Sequence, residues 1–130
     1  MKKVLILGLF LLGTTPAFAD YCANGYGDVF TAVNGKKYCV SRTLVNWWSA
    51  HAWCNSIGMR LINPSEDCDC TGLENCEAGS DCPNFNGISS NKTFWTNSIQ
   101  STTHVHALNT ISKQLERKKK SEDAYAICKQ

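Results

Sequence analysis

The sequence lacks the signature motifs of the common enzyme classes. It has no Gly-x-Ser-x-Gly nucleophile elbow, no His-Glu-x-x-His metalloprotease helix and no glycine-rich phosphate loop. Its cysteines number 8, an even count that leaves no odd thiol to act as a nucleophile. The one alternative left is a serine that the fold would bring close to His51, and no motif in the sequence indicates such a pair. We therefore expect a protein that is not an enzyme and that needs no cofactor.

Long apolar runs are also missing, apart from one at the start. Residues 4–13 are apolar, follow Lys2-Lys3 and precede Ala17-Phe18-Ala19, the pattern of a bacterial signal peptide with its cleavage site. We predict that residues 1–19 are a signal peptide and that residues 20–130 form the mature domain. No later run is long enough to cross a membrane, so we expect a protein that is secreted, periplasmic or held at the cell surface.

The net positive charge of the chain comes from its predicted signal peptide and is lost when that peptide is removed. The whole chain has 13 Lys and Arg residues against 11 Asp and Glu, and the two leader lysines account for the difference. No overall positive field remains, so we expect no nucleic-acid partner. The local basic run at 117–120 is expected to be a solvated turn rather than a patch for an anionic surface.

What the chain has in quantity is cysteine. Removing 19 of its 130 residues leaves 111, the size of one domain with a modest core. An oxidising destination allows all 8 cysteines to form four disulfides. The β-like runs 29–33 and 37–40 flank Asn34-Gly35, a two-residue turn signal. Because Cys22 and Cys39 bracket this predicted hairpin, we pair them.

Residues 46–61 carry the clearest helical pattern. Thr43 or Asn46 can cap the start of the helix, and Gly58 provides a left-handed stop. The apolar face of the predicted helix, spaced at i, i+3, i+7 and i+10, consists of Trp47, Ala50, Cys54 and Ile57.

This pattern also resembles a known family. Trp47, Ala50, Cys54, Gly58 and Leu61 have the spacing found in the first helix of C-type lectin-like domains. The resemblance covers roughly residues 21–128, but its specific motifs are this helix and a terminal Tyr-x-x-Cys.

The resemblance implies an α+β, C-type lectin-like fold that is rich in disulfides. That fold has an N-terminal disulfide hairpin, one main helix and short antiparallel strands, and its helix Cys54 pairs with Cys128. Trp95 would be the core tryptophan of a strand. The calcium and sugar motifs of the family, Glu-Pro-Asn or Gln-Pro-Asp and Trp-Asn-Asp, do not occur. The resemblance thus implies the fold without its usual calcium-dependent chemistry.

Residues 65–83 are predicted to be a stapled surface loop. They hold four cysteines and six acidic residues with little periodicity. Cys68 and Cys70 are too close to bond each other easily. The remaining choices are Cys68–Cys82 with Cys70–Cys76, which we favour slightly, or Cys68–Cys76 with Cys70–Cys82.

Three strands are predicted in the second half of the chain. Residues 93–99 alternate and are aromatic, which indicates a half-buried strand. Residues 104–108 and 123–128 complete the set, and residues 113–121 are expected to form a solvated edge and turn. With the hairpin and helix before them, these strands indicate an α+β domain.

Three groups of side chains could bind a metal ion. His104 and His106 share one face of a strand and could hold a transition metal, but spacing supplies no third ligand. Four loop cysteines could bind zinc, yet export favours their oxidation. The acidic loop could gather calcium, but its spacing matches no EF-hand. We therefore predict no metal site.

Trp48 and Trp53 are the candidate ligand-binding residues. They lie off the face led by Trp47, and exposed aromatic rings stack on sugars and anchor protein interfaces. The alternative is that neighbouring strands simply cover them. We expect a binding module that recognises a protein or glycan on a surface. The second hypothesis is a structural or minor component of a bacterial surface appendage or envelope assembly.

Overall fold

The computed structural model describes residues 22, 27–70, 76–88 and 91–130. The predicted signal peptide at 1–19 lies outside these residues. No helix in the described ranges is long and apolar enough to cross a membrane. The strands are β1 (Gly27–Thr31), β2 (Lys37–Ser41), β3 (Arg60–Leu61), β4 (Thr93–Ile99), β5 (His104–Asn109), β6 (Gln114–Lys119) and β7 (Tyr125–Lys129). The helices are α1 (Trp47–Ser56), the single turn α2 (Pro64–Asp67) and a 3₁₀ turn at Pro83–Phe85.

The strands of the described ranges form one sheet in the order β1-β2-β7-β4-β5-β6, with β3 also paired to β7. Strand β7 is antiparallel to β2 and β3 but parallel to β4. The domain has one main helix and mostly strands, and it is rich in disulfides, which are described below. The prediction that the strands are antiparallel was wrong for β4 and β7, which pair in parallel.

Helix α1 forms as the sequence predicts. The Asn46 side chain caps it by accepting a 2.9 Å hydrogen bond from Ser49 N, and Gly58 ends the helical region with φ +76°. Asn46, rather than Thr43, is thus the cap. The predicted helix face packs on the core, with Ile57 only partly buried at its end.

The hairpin β1–β2 is confirmed, but its turn is longer than two residues. Thr31 pairs with Lys37, and Ala32 N donates to Lys36 O across a five-residue connection. Gly35 takes φ +88°, a conformation that favours glycine. Asn34 N donates to Asn84 Oδ1, so a distant segment holds the tip in addition to the bonds within the turn.

The sheet is covered on both faces. Trp95 and Ala126 belong to the cluster under α1, whereas their neighbours Phe94 and Ile127 belong to a second cluster. This alternation is the period of a strand. The prediction that residues 93–99 are half-buried was therefore wrong for the middle of β4, where Phe94, Trp95 and Thr96 are all fully buried.

The second cover is the segment predicted to be a surface loop. Cys68 and Cys82, with Phe85 just beyond the segment, are buried in the second cluster, whereas Glu66, Asp69, Glu77 and Asp81 remain exposed. The segment is thus at the surface only in part. The structure forms four disulfides, Cys22–Cys39, Cys54–Cys128, Cys68–Cys82 and Cys70–Cys76. The use of the cysteines as disulfides is confirmed.

Asp67 is the least expected part of this segment, because it is buried. Its carboxylate accepts from Tyr38 Oη at 3.1 Å and from Asn63 N at 2.8 Å, and pairs with Lys129 Nζ at 2.7 Å. Burial, followed by the Asp67 charge, raises the pKa of Tyr38 to about 12, which keeps its hydroxyl a donor. An acid expected at the surface thus joins the segment to β2 and β7.

Candidate ligand-binding site

A groove of about 730 Å³ lies where α1 approaches the strands β2 and β7. Its volume is in the range of small-molecule sites in proteins. Its apolar wall is the indole of Trp53 with three aliphatic side chains, and its polar margin carries hydroxyls and a guanidinium. The lining residues are Ser41, Arg42, Thr43, Val45, Trp53, Ser56, Ile57 and Ala126.

Helix geometry places Trp53 at this groove. Trp53 follows Ala50 by three residues, so it lies beside the buried stripe and not on the opposite side of the helix. Ser56 and Ile57 follow at i+3 and i+4 and therefore continue the same wall. Ser56 Oγ donates to Trp53 O at 2.7 Å, which satisfies a carbonyl in the last turn.

Gly27 of β1 supports the indole from the sheet side. A Cβ built at Gly27 would lie 3.0 Å from Trp53 Cη2 and 2.8 Å from Val40 O. The missing side chain therefore lets the ring lie directly against the strand. This close approach, and not a special backbone angle, is the reason for glycine here.

The polar margin contains one fixed group and one exposed group. Ser41 Oγ is fixed, since it donates to Thr43 O at 3.0 Å and accepts from Ala126 N at 2.9 Å. The Arg42 guanidinium pairs with Asp28 at 3.0 Å, and both side chains are more than half exposed. Exposed pairs of this kind are worth about 1 kcal/mol or less. Arg42 can therefore exchange this contact for one to a ligand.

Trp48 does not contribute to the groove. Residues five apart on a helix point roughly 140° away from each other. Trp48 is 53% exposed and packs edge-on against Trp47, with ring centroids 6.3 Å apart. The structure therefore separates the two predicted ligand-binding tryptophans into two places.

His104 and His106 contact hydroxyls. His106 Nδ1 lies 2.8 Å from Ser98 Oγ, and His104 Nδ1 lies 2.8 Å from Thr103 Oγ1. Burial lowers the pKa of His106, an effect that Glu77 partly opposes and Arg117 reinforces. Sequence reasoning missed the contact with Ser98 because the β4–β5 register shifts between Trp95 and Ile99.

Metal ligands are not gathered in the described ranges. These residues contain no group of three or more His, Cys, Asp or Glu suited to a metal ion. Cys68, Cys70, Cys76 and Cys82 are in disulfides, which leaves them no thiolate to offer zinc.

Comparisons with known proteins do not assign the groove. No protein-family model matches the chain, and neither the curated proteins nor the solved structures contain a significant match. The chemistry that bears on function is thus that of the groove itself, an indole wall beside hydroxyl and guanidinium groups.

Proposed function

We propose that the protein is an exported binding module of the C-type lectin-like type, and that it recognises a glycan without a conventional calcium site. The carrying observation is the groove at Trp53, whose wall is aromatic and whose margin is polar. Sugars present an apolar C–H face and equatorial hydroxyls. An indole can stack on the former, and donors such as Arg42 can bind the latter.

Three features support the lectin-like part of the proposal. Cys54 of α1 is bonded to Cys128 of β7, and Cys22 is bonded to Cys39 of the hairpin. Trp95 is fully buried, as the resemblance implies for a core tryptophan. The likeness is loose, because the sheet is rich in strands and α2 is only one turn.

The export part of the proposal draws on the leader pattern and on the disulfides. Four disulfides in a domain of this size are typical of an oxidising compartment. Export would also place the groove where a surface ligand can reach it.

A glycan array probed with the purified mature domain tests the proposal. We expect binding that persists in excess chelator and that falls at least tenfold in Trp53→Ala. Arg42→Gln should weaken binding but lower thermal stability only slightly, because the pair with Asp28 that it removes is exposed. For neutral glycans, Trp48→Ala is the matched control, because it removes a tryptophan of the same helix outside the groove.

Two outcomes would overturn the proposal. Binding abolished by chelator would indicate a calcium site in place of the groove. No glycan signal, together with copurification in an envelope or appendage assembly, would favour the structural role instead.

A further inference from the structure

A lysine ammonium lies over two adjacent indole rings at the start of α1. Lys120 Nζ is 4.8 Å from the ring centroid of Trp47 and 6.0 Å from that of Trp48. Both distances are within the range of cation–π attraction. The prediction that the basic run at 117–120 is a solvated turn was therefore wrong: residues 117–119 belong to strand β6, and Lys120, which follows it, is only 8% exposed.

The backbone holds this lysine in place from both sides. Trp47 N donates to Lys120 O at 3.0 Å, and Lys120 N donates to Thr103 O at 2.8 Å. The side chain is thus positioned by fixed main-chain contacts and by two rings. A long side chain held this way loses little further freedom when it binds a ligand.

No acidic partner reaches this ammonium within the part of the chain that the structure describes. The ion pairs there involve Arg42, Lys118 and Lys129. Glu122, two residues away in sequence, has its Oε1 3.7 Å from Lys118 Nζ and accepts from Lys119 N. Lys120 is therefore a nine-tenths buried cation without a carboxylate.

The charged end of Lys120 nevertheless meets solvent. Every fully buried side-chain nitrogen or oxygen in the described residues has a hydrogen-bond partner. Lys120 Nζ makes no hydrogen bond to the described residues, so it keeps some contact with solvent although the residue as a whole is only 8% exposed. Beside it, Trp48 is 53% exposed and Trp47 is buried. A half-exposed indole and a fixed cation are thus next to each other.

We propose that Trp48 and Lys120 form a second binding site, separate from the Trp53 groove, for an acidic sugar of the uronic-acid class. The pyranose ring stacks on the exposed indole, and its carboxylate reaches the ammonium at the ring edge. This ligand supplies the two features that the site offers, an apolar flat face and a negative charge close to it. An acidic peptide would supply the charge but on a flexible chain, and would gain little from one flat ring.

The test uses trigalacturonic acid and its methyl ester, which differ in charge and not in the sugar rings. Binding is followed in the folded, disulfide-bonded mature domain by calorimetry and by the indole N–H signals of the four tryptophans. We expect the acid to bind at least tenfold more tightly than the ester and to shift the Trp48 signal. The variant Lys120→Met, which keeps the apolar stem, should lose at least tenfold in affinity.

The matched control is Lys119→Met, since Lys119 is the exposed neighbour in the same basic run. Equal losses in both variants would indicate diffuse attraction and would overturn the site. Trp48→Ala gives the second measurement if Lys120→Met fails to fold, because half of Trp48 is already exposed. Equal binding of ester and acid, no binding of the acid at millimolar concentration, or tighter binding of polyglutamate would each overturn the proposal.

Different variants test the two proposed sites, so either site can be rejected without rejecting the other. Trp53→Ala should leave trigalacturonic acid binding unchanged, whereas Lys120→Met should leave the groove ligand unchanged. Loss of uronate binding in Trp53→Ala would show that the acid occupies the groove, and the second site would be rejected.

Discussion

The ammonium of Lys129 lies 2.7 Å from Oδ2 of Asp67, and the Asp67 side chain is only 2% exposed. A strand and a single-turn helix that are far apart in sequence are joined by this pair. Lys129 also pairs with Glu66, whose side chain is 60% exposed. The two acids share one lysine but differ in burial, which makes their contributions separable.

We predict that Lys129→Met destabilises the domain by about 3 kcal/mol, because it leaves the Asp67 carboxylate buried without a counter-charge. Glu66→Gln is the control and should cost much less, since an exposed pair is screened by water. Urea unfolding of the oxidised protein measures both. Equal costs would show that Asp67 is well satisfied by Tyr38 and Asn63 alone.

Acid should weaken the domain through His106. Burial lowers the pKa of its imidazole in the folded state. As pH falls through the ordinary histidine value of about 6.5, the unfolded chain takes up the proton first, so the free energy of unfolding decreases. The loss levels off once pH passes the lower pKa of the folded state.

The measurement is the difference between the wild type and His106→Gln in urea unfolding at pH 7.5 and 5.5. The variant should lose less stability on acidification, because it lacks the titrating group. His104→Gln, on the same strand but less buried, should lose as much as the wild type. An imidazole NMR titration that gives an ordinary pKa for His106 would contradict this expectation.

The disulfide that closes the longest loop and the one that closes the shortest should differ in how much they stabilise the domain. Cys54–Cys128 joins residues 74 apart, and Cys70–Cys76 joins residues 6 apart. The chain-entropy model assigns them about 4 and about 2 kcal/mol. Replacing each pair by two alanines and measuring unfolding tests the order. A larger loss for Cys70–Cys76 would mean that this staple shapes the inward packing of its segment.

Gly27→Ala should disturb the groove from behind. The new methyl would meet Trp53 Cη2 at 3.0 Å and the carbonyl of Val40 at 2.8 Å, and a backbone carbonyl yields little. We expect a loss of roughly 1–3 kcal/mol and a shifted Trp53 indole signal. Val29→Ala, at an exposed site on the same strand, is the control. An unchanged Trp53 signal would show that the ring has room to move away.

The sequence predicts local structure well where one segment contains its own signals. Asn46 and Gly58 bound a helix whose apolar face is visible in the spacing of Trp47, Ala50 and Cys54. Strand β4 coincides with the aromatic run at Thr93–Ile99. These elements need only capping and periodicity, which are properties of neighbouring residues.

Prediction fails where the deciding partner is distant. Asp67 is expected to be exposed because its neighbours are acidic, yet Lys129 makes its burial possible. Lys120 is expected to be solvated because it ends a basic run, yet it lies over the rings of α1. The groove likewise depends on Gly27, Trp53 and Ala126 meeting in space. No local pattern contains that information.

Strand β7 bonds to β2, β3 and β4 and so joins three parts of the chain that do not pair with each other along the path of the sheet. Without Tyr125–Lys129, the β1–β2 hairpin and the β4–β5–β6 meander would be separate pieces. The complete sheet can therefore form only when Tyr125–Lys129, the last element of the described chain, has been synthesised. Such late closure would suit the export proposed above, because the chain would remain unfolded while it crosses the membrane.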